Sequence, residues 1–397
     1  MTNDNQQTQK PGRLAVYASV GSRMGHYEVD VGALTLTRRA SVMLPAKIQY
    51  AWPHVSKPFL YVASTNGGPN LVGDKHYANA LRIDPGSGAL EPHGAPAMLR
   101  SRPVHITTDI PSEHVVTAYT DANGVTVHRV NTDGTLGAEV RPPAALDVGI
   151  FAHQTRVMPS NRGAILVTRG YDAKDGKPED PGALKVFSYK AGVLTNQASI
   201  APGNGYGFGP RHLDFHPTGP WVYVSLERQN KLNVFKLEGD TLRAEPLFRK
   251  ETMVDPDHPG PRQLVGTIHV HPNGRFVYVI NRAYGTKDAG GRQVFSGGEN
   301  NIAVFAVDPV SGEPTLIQNI DTHGYYARTF SIDPSGRMLV AAHVMPMVVQ
   351  EGAGYTNVPA NLSVFRIADD GKLDFARKYD VDVGSNLMFW MGMLSLK

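Results

Sequence analysis

The sequence predicts an all-β protein: a seven-bladed β-propeller of four-stranded antiparallel blades, with the ring closed by the C-terminal strand pairing into the first blade. Two observations predict it. A strand–turn–strand pattern recurs six times along the 397 residues, and 41 glycines and 29 prolines suit many short turns better than long helices. Repeated four-stranded antiparallel units are typical of propeller blades.

Each repeat contains two predicted strands joined by a tight turn. A short alternating run leads into a turn with Pro, and a run rich in Val, Ile, Leu and Tyr follows it, as in AHQTRVMPSNRGAILVTRG. A third strand such as VTVHRV or LNVFKL usually comes next, and a fourth completes the unit after a turn such as NTDGTLG. The repeats begin near residues 48, 102, 152, 210, 267 and 328.

The two ends of the chain supply the seventh blade. RLAVYASV, HYEVDV and LTRRASVML precede the first repeat as three predicted strands, and LMFWMGMLSL (387–396) is a lone apolar strand after the last. Pairing that strand into the first blade closes the ring and removes exposed sheet edges. We therefore expect one domain over 13–397 after a disordered polar segment at 1–12, although the length alone suits two or three domains.

Bulk composition indicates a soluble globular protein. The chain is 41% hydrophobic and 19% charged with a net charge of +3, and it lacks a long Lys/Arg run, so no nucleic-acid partner is expected. The absence of cysteine excludes disulfides, thiolate nucleophiles and Cys-ligated metals. The polar N-terminus and the lack of roughly 20 consecutive apolar residues predict a cytoplasmic protein without membrane contact, a monomer or weak homo-oligomer.

Propeller topology brings many polar residues to one end of the channel. The start of the innermost strand (strand a) and the end of the next (strand b) share that end, whereas the Pro-containing a–b turns lie at the other. Long insertions between strand b and the third strand of a blade (strand c) fall at the polar end as well, at 64–77, 170–182, 283–300 and 343–360. We expect this mouth to be the binding pocket. Its predicted residues are His105, His153, Arg169, Arg211, His212, Glu227, His269, Asn281, Arg282, Arg328 and His343.

The stretch HLDFH raises the question of a zinc site, because histidines four apart can share a metal on a helix. Here His212 lies on a predicted strand and His216 in the following turn. Four residues of a strand span about 13 Å, which is too far for one ion. We therefore expect no metal and no cofactor, and a turn-building role for His216.

Arg211 and Glu227 form the most informative pair, because one starts strand a and the other ends the adjacent strand b of the same blade. A structural ion pair is the alternative reading of this pair. For the other predicted mouth residues, the alternatives are core histidines that hydrogen-bond to neighbouring backbone and arginines that are simply solvated at the surface. We expect Arg282 and Arg328 to bind an anionic substrate, since guanidinium fits carboxylate or phosphate. The remaining predicted substrate-binding residues are His212, His269 and Asn281.

These motifs resemble the seven-bladed lactonase family, which includes propeller-type 6-phosphogluconolactonases and fungal carboxy-cis,cis-muconate lactonizing enzymes. The most specific stretch, GPRHLDFHPTGPWVYVSLE at 209–227, follows the family pattern G-P-R-H-x-x-F-H-P-x-G…Y-V-x-x-E. The resemblance extends over nearly the whole chain. It implies an active-site histidine at His153, an arginine at Arg211, a glutamate at Glu227 and a later arginine at Arg328.

The expected function is hydrolysis of a sugar-acid or related small anionic lactone. His153 or Glu227 would act as general base, and Arg211 would place the substrate or stabilise negative charge at the carbonyl. Two alternatives stay open: a muconate-type cycloisomerase that forms a lactone in the same site, and a propeller that only binds proteins. A redox propeller with a bound quinone is less favoured.

Overall fold

The structure is a computed structural model that describes residues 13–68 and 71–397. The predicted disordered segment at 1–12 lies outside the described residues. The chain forms a ring of seven β-sheets, and the predicted propeller is confirmed. The strands of the first four blades are β1 (Leu14–Val20), β2 (Arg23–Asp30), β3 (Thr35–Met43), β4 (Lys47–Pro53), β5 (Phe59–Thr65), β6 (His76–Ile83), β7 (Leu90–Pro92), β8 (Ala97–Met98), β9 (Arg102–Thr108), β10 (His114–Thr120), β11 (Gly124–Val130), β12 (Leu136–Val140), β13 (Ala152–Val157), β14 (Gly163–Thr168), β15 (Ala183–Lys190) and β16 (Val193–Ile200).

A short 3₁₀ turn at Pro202–Gly205 leads into the last three blades. Their strands are β17 (Pro210–Phe215), β18 (Trp221–Leu226), β19 (Lys231–Glu238), β20 (Thr241–Leu242), β21 (Phe248–Glu251), β22 (Gln263–Val270), β23 (Phe276–Ala283), β24 (Thr286–Asp288), β25 (Gln293–Phe295), β26 (Asn301–Val307), β27 (Pro314–Asp321), β28 (Ala327–Ile332), β29 (Met338–His343), β30 (Met347–Glu351), β31 (Gly354–Val358), β32 (Asn361–Ile367), β33 (Leu373–Asp380) and β34 (Met391–Ser395).

In chain order, blade 1 contains β1–β3 and β34, blade 2 β4–β8, blade 3 β9–β12, blade 4 β13–β16, blade 5 β17–β21, blade 6 β22, β23, β26 and β27, and blade 7 β28, β29, β32 and β33.

Ring closure occurs as predicted. Strand β34 pairs antiparallel with β1, and the first blade has the order β3-β2-β1-β34, so its innermost strand comes from the C-terminal end. Val16 and Met391 of this blade pack with Val340 and Leu362 of the last blade in one buried apolar cluster. The two ends of the chain are therefore joined both by backbone hydrogen bonds and by core packing.

Tyrosines on strand b connect neighbouring blades. In four blades, the hydroxyl of this tyrosine donates to the carbonyl of a glycine in the turn between the outer strands of the next blade. The pairs are Tyr17 with Gly88, Tyr61 with Gly134, Tyr223 with Gly312, and Tyr278 with Gly371, at 2.7–3.2 Å. The buried hydroxyls are satisfied in this way, and each bond fixes one blade against the next.

Two of the long b–c insertions carry small hairpins of their own, β24–β25 and β30–β31. Arg292 of the first hairpin stacks on Tyr355 of the second at 4.8 Å, and the Tyr355 hydroxyl donates to the Ala289 carbonyl at 3.2 Å. The insertions therefore support each other above the mouth. No helix within residues 13–68 and 71–397 has the length and apolarity needed to cross a membrane.

Candidate active site

Glu227 lies at the centre of the polar mouth, where three blades contribute arginines to one carboxylate. Arg211 Nε is 2.9 Å from its Oε1, Arg282 donates from Nη2 to the same oxygen, and Arg169 donates from Nε to Oε2. The side chains are buried, with Glu227 only 6% exposed. The predicted contact between Arg211 and Glu227 is therefore present, and two further arginines share it.

A repeated irregularity in strand a aims side chains into this mouth. In blade 4, Ala152 pairs with Thr168 and Gln154 with Val167, so His153 has no partner in register. The same skip occurs at Arg211 in β17 and at Arg328 in β28. Such β-bulges are common next to active sites because they redirect one side chain. They explain why the second residue of three different strands faces the same space.

The carboxylate of Glu227 is held in its ionised form. Burial alone would raise its pKa, but the charges of Arg169, Arg211 and Arg282 outweigh burial and hold the pKa far below its ordinary value. Burial and the charge of Arg282 lower the pKa of Arg211, and Glu227 opposes that change. Glu227 therefore acts as the counter-ion that keeps several buried guanidinium groups close together.

Two of these guanidinium groups retain unused donors. The buried Nη1 atoms of Arg211 and Arg282 have no hydrogen-bond partner among the described residues. A buried charged donor without an acceptor is costly, and native proteins normally satisfy it with water or a bound group. The arrangement therefore offers two positively charged N–H donors beside His153 and Glu227 to an incoming oxygen.

His153 follows the first residue of β13 and stands beside this arginine cluster. Burial and the charge of Arg211 lower its pKa well below the ordinary value of 6.5, so the imidazole is neutral at neutral pH. Neither ring nitrogen makes a hydrogen bond within the described residues, and Nδ1 is fully buried. Its ring centre lies 6.0 Å from Phe151 and 5.2 Å from His212. A neutral imidazole with a free nitrogen can accept a proton.

Two more histidines line the channel below His153. His212 is 5.2 Å from His153 and 6.0 Å from His105, measured between ring centres, and the Tyr50 ring packs against His105 in a tilted arrangement with centres 4.1 Å apart. Burial and neighbouring arginines lower the pKa of both His105 and His212. Among the described residues, Asp109, Glu113 and His114 at an a–b turn have possible metal-ligand atoms within 4.8 Å of one another, and the three channel histidines do not form such a group.

Arg328 forms the outer wall of the same mouth. Its guanidinium lies 3.7 Å from the centre of the Phe389 ring, and Nε donates to the Phe389 carbonyl at 3.1 Å. Burial and the charge of Arg282 lower its pKa to about 10, so it remains charged at neutral pH. Phe389 therefore holds the guanidinium through both its ring and its backbone carbonyl, and the group remains beside the arginine cluster.

Arg102 is a mouth residue that the sequence interpretation missed. It is the first residue of β9 and is buried, with Nη1 3.6 Å from the Asp121 carboxylate. Its charge lowers the pKa of Arg328, after burial and Arg282, which places the two arginines within electrostatic range. Its position in the sequence could have identified it, because Arg102 is the first residue of an innermost strand, and Arg211 and Arg328 are the second residues of theirs.

Two predicted substrate-binding residues do not reach the mouth. His269 is the seventh of the eight residues of β22 and pairs with Tyr278, close to the a–b turn at the other end of the strand, where its side chain is 29% exposed and Nδ1 is 3.5 Å from Asp214. Asn281 is fully buried, and its amide is bonded to Asn301 of its own blade and to Thr252, which follows β21 of the preceding blade. The prediction for His269 was wrong because β22 starts at Gln263, four residues before the predicted start at 267.

The remaining predicted residues have clear positions. Arg169 and Arg282 contact Glu227, as described above. His343 is buried between strands, where Nδ1 meets the Asn361 carbonyl at 3.2 Å. His216 lies in an a–b turn and bonds through Nε2 to the Gly274 carbonyl at 2.9 Å. Its Nδ1 accepts from the N–H groups of Thr218 and Gly219 at 3.2 and 2.7 Å, which confirms the turn-building role predicted for His216.

Comparisons with known proteins agree with this architecture. Residues 17–345 match the family model described as lactonase, 7-bladed beta-propeller. The chain is 31% identical over 344 residues to a 6-phosphogluconolactonase of Bacillus subtilis, an alignment that covers 84% of this chain and 87% of the relative. It is 26% identical over 312 residues to a 6-phosphogluconolactonase of an Enterobacter species, covering 78% and 81%.

Among solved structures, the periplasmic gluconolactonase PpgL of Pseudomonas aeruginosa has a similar fold. The TM-score is 0.68 at 19% sequence identity, with 97% of this chain and 100% of that chain covered. At this identity the likeness concerns the fold alone.

Proposed function

Because the chain belongs to the lactonase family of seven-bladed β-propellers, we propose that it hydrolyses a sugar-acid lactone that carries a phosphate or carboxylate. Its relatives in Bacillus subtilis and Enterobacter are named 6-phosphogluconolactonases. The mouth holds five buried arginines against one buried glutamate, with Asp121 and Asp172 nearer the solvent. Such an excess of positive charge favours an anionic ligand.

The observation that carries the proposal is the pair of unused guanidinium donors beside a neutral histidine. Hydrolysis of a lactone creates negative charge on the carbonyl oxygen when water adds to the carbonyl carbon. Arg211 and Arg282 each present a buried Nη1 that has no partner within residues 13–68 and 71–397, and Glu227 positions both groups in advance. Preorganised donors of this kind stabilise the oxyanion more than the uncharged carbonyl, which lowers the barrier.

His153 serves as the general base in this proposal. Its neutral imidazole takes a proton from the attacking water, and the tetrahedral intermediate then collapses with cleavage of the ring C–O bond. The imidazolium returns the proton to the leaving ring oxygen, which gives a hydroxy acid that ionises in solution. Glu227 is the weaker candidate for the base, because its oxygens are occupied by three arginines and its pKa is lowered.

Arg328 and Arg102 are proposed to hold the distal anion. Both guanidinium groups are buried at the mouth, and that of Arg328 lies over the Phe389 ring. A planar guanidinium can bind phosphate or carboxylate through two parallel hydrogen bonds. Separate groups would thus bind the two ends of the substrate, the carbonyl at Arg211 and Arg282 and the distal anion nearer the rim.

The test compares wild-type protein with His153→Ala and Glu227→Gln on 6-phosphoglucono-δ-lactone, measured as acid release above the spontaneous rate. Loss of the base or of the arginine counter-ion is expected to lower kcat by at least about 100-fold. His258→Ala is the matched control, because His258 is exposed, with 83% of its side chain accessible, and should leave kcat unchanged. Near-normal activity in both site variants contradicts the proposal.

A further inference from the structure

Gln49 of the second blade occupies the same bulged position as three site residues. In β4, Ile48 pairs with Ser64 and Tyr50 with Ala63, so Gln49 is skipped in the register. His153, Arg211 and Arg328 are skipped in the same way in their strands. In all four strands the skipped residue comes near the strand start, at the end of the channel that forms the mouth.

The residue that follows supports this equivalence. Tyr50 follows Gln49 as His212 follows Arg211, and the rings of Tyr50 and His212 meet edge to face with centres 6.1 Å apart. The charges of Arg211 and Arg328 both act on Tyr50. Blade 2 therefore presents its Gln–Tyr pair to the same space as blade 5 presents its Arg–His pair.

The amide of Gln49 is buried and poorly satisfied. The residue is 4% exposed, and its Oε1 has no hydrogen-bond partner among the described residues. Its Nε2 makes only two long contacts, to the carbonyls of Ile48 at 3.3 Å and Lys47 at 3.5 Å, in its own strand. By contrast, the buried amide of Gln154 accepts a 2.7 Å bond from the Leu213 N–H. A buried amide oxygen without a partner calls for an O–H or N–H donor from outside the chain.

We propose that Gln49 is a specificity-determining residue that hydrogen-bonds a hydroxyl group of the lactone. This inference rests on the proposed lactonase function. The hydroxyl donates to Oε1, and its oxygen can accept from Nε2 when the side chain turns away from its own strand. An amide suits a hydroxyl because both groups donate and accept, whereas the arginines around Glu227 only donate.

The experiment uses Gln49→Met, which keeps the length of the side chain and removes both polar ends. Values of kcat/KM are measured for D-glucono-δ-lactone and for δ-valerolactone, which has the same ring without hydroxyls. We expect Gln49→Met to lower kcat/KM for gluconolactone by about 10- to 100-fold and that for valerolactone by less than about threefold. Gln49→Glu, which keeps an acceptor, should retain more of the gluconolactone activity than Gln49→Met.

Gln350→Met is the matched control, since Gln350 lies in the β30–β31 hairpin and bonds only locally, to the Gly352 carbonyl. It should change neither value. Equal losses on both lactones in Gln49→Met indicate a structural role and overturn the inference, as does an unchanged preference, which means that water alone satisfies the amide. Wild-type protein that hydrolyses neither these lactones nor 6-phosphoglucono-δ-lactone contradicts the proposed function itself.

Discussion

At the scale of single residues, Glu227 and His153 have different protonation states and different roles because their surroundings differ. The carboxylate is surrounded by guanidinium groups, and it positions those groups by remaining ionised. The imidazole next to them is kept neutral by burial and by the charge of Arg211. One set of buried charges therefore fixes the protonation state of both residues, which is a common way for enzymes to assign acid–base roles.

The pH dependence of the reaction follows from the lowered pKa of His153. The base must be unprotonated, so activity is present above its folded-state pKa and is lost as the pH falls through it. Because that pKa lies well below 6.5, we expect kcat/KM to stay constant from pH 8 down to pH 6.5 and to decline only at lower pH. Acid release corrected for spontaneous hydrolysis measures this profile. An acidic limb centred at or above pH 6.5 would speak against His153 as the base.

The sequence predicted the position of a site residue correctly where a motif or the strand topology determined that position. Arg211 and Glu227 are sixteen positions apart, and the order of strands a and b brings them together. Arg102 and Gln49 were missed for a physical reason. Their roles depend on which residue starts a strand and where its register skips, and single-sequence patterns locate strand ends only to within a few residues.

At the scale of elements, the bulge in strand a positions the site and the glycine turns hold the blades together. Gly312 lies in the turn between β26 and β27 with φ of +75°, and a Cβ there would come within 2.3 Å of the Trp221 ring in the preceding blade. Its carbonyl also accepts the Tyr223 hydroxyl at 3.0 Å. This turn of blade 6 therefore packs so closely against Trp221 of blade 5 that no space remains for a methyl group on Gly312.

Gly312→Ala is accordingly expected to destabilise the fold, by left-handed backbone strain and by overpacking against Trp221. Gly290→Ala is the matched control, because Gly290 has φ of +65° but nothing within 4 Å of its added Cβ. The control should lose about 1 kcal/mol, and Gly312→Ala at least about 2 kcal/mol more, in the free energy of unfolding from denaturant titration. Equal losses in the two variants would show that the contact with Trp221 has no energetic role.

Strand boundaries limited what could be predicted for the elements. The positions of six repeats and the closing strand follow from alternation, Pro-containing turns and the lone apolar segment at the end, and the structure confirms them. The start of β22 was placed too late, at 267 rather than 263. The error placed His269 at the predicted mouth, whereas it lies near the other end of β22, because a later start shortens the distance from the strand start.

At the scale of the whole molecule, buried positive charge is concentrated at one end of the ring, although the net charge of the chain is small. The net charge is only +3, yet Arg102, Arg169, Arg211, Arg282 and Arg328 are all buried at one end of the ring. A channel with low-dielectric walls and one sign of charge focuses the field on its entrance. The propeller thus provides a rigid frame on which five arginines from five blades converge.

The most direct measurement compares hydrolysis of 6-phosphoglucono-δ-lactone with that of D-glucono-δ-lactone, by wild-type protein and by Arg328→Gln. The account predicts that wild-type kcat/KM is at least about tenfold higher for the phosphorylated lactone, and that this advantage shrinks in Arg328→Gln and at high salt. Turnover of the unphosphorylated lactone should change little in the variant. Equal wild-type rates for the two lactones, or no hydrolysis of either above background, would contradict an anion-binding lactonase site at this mouth.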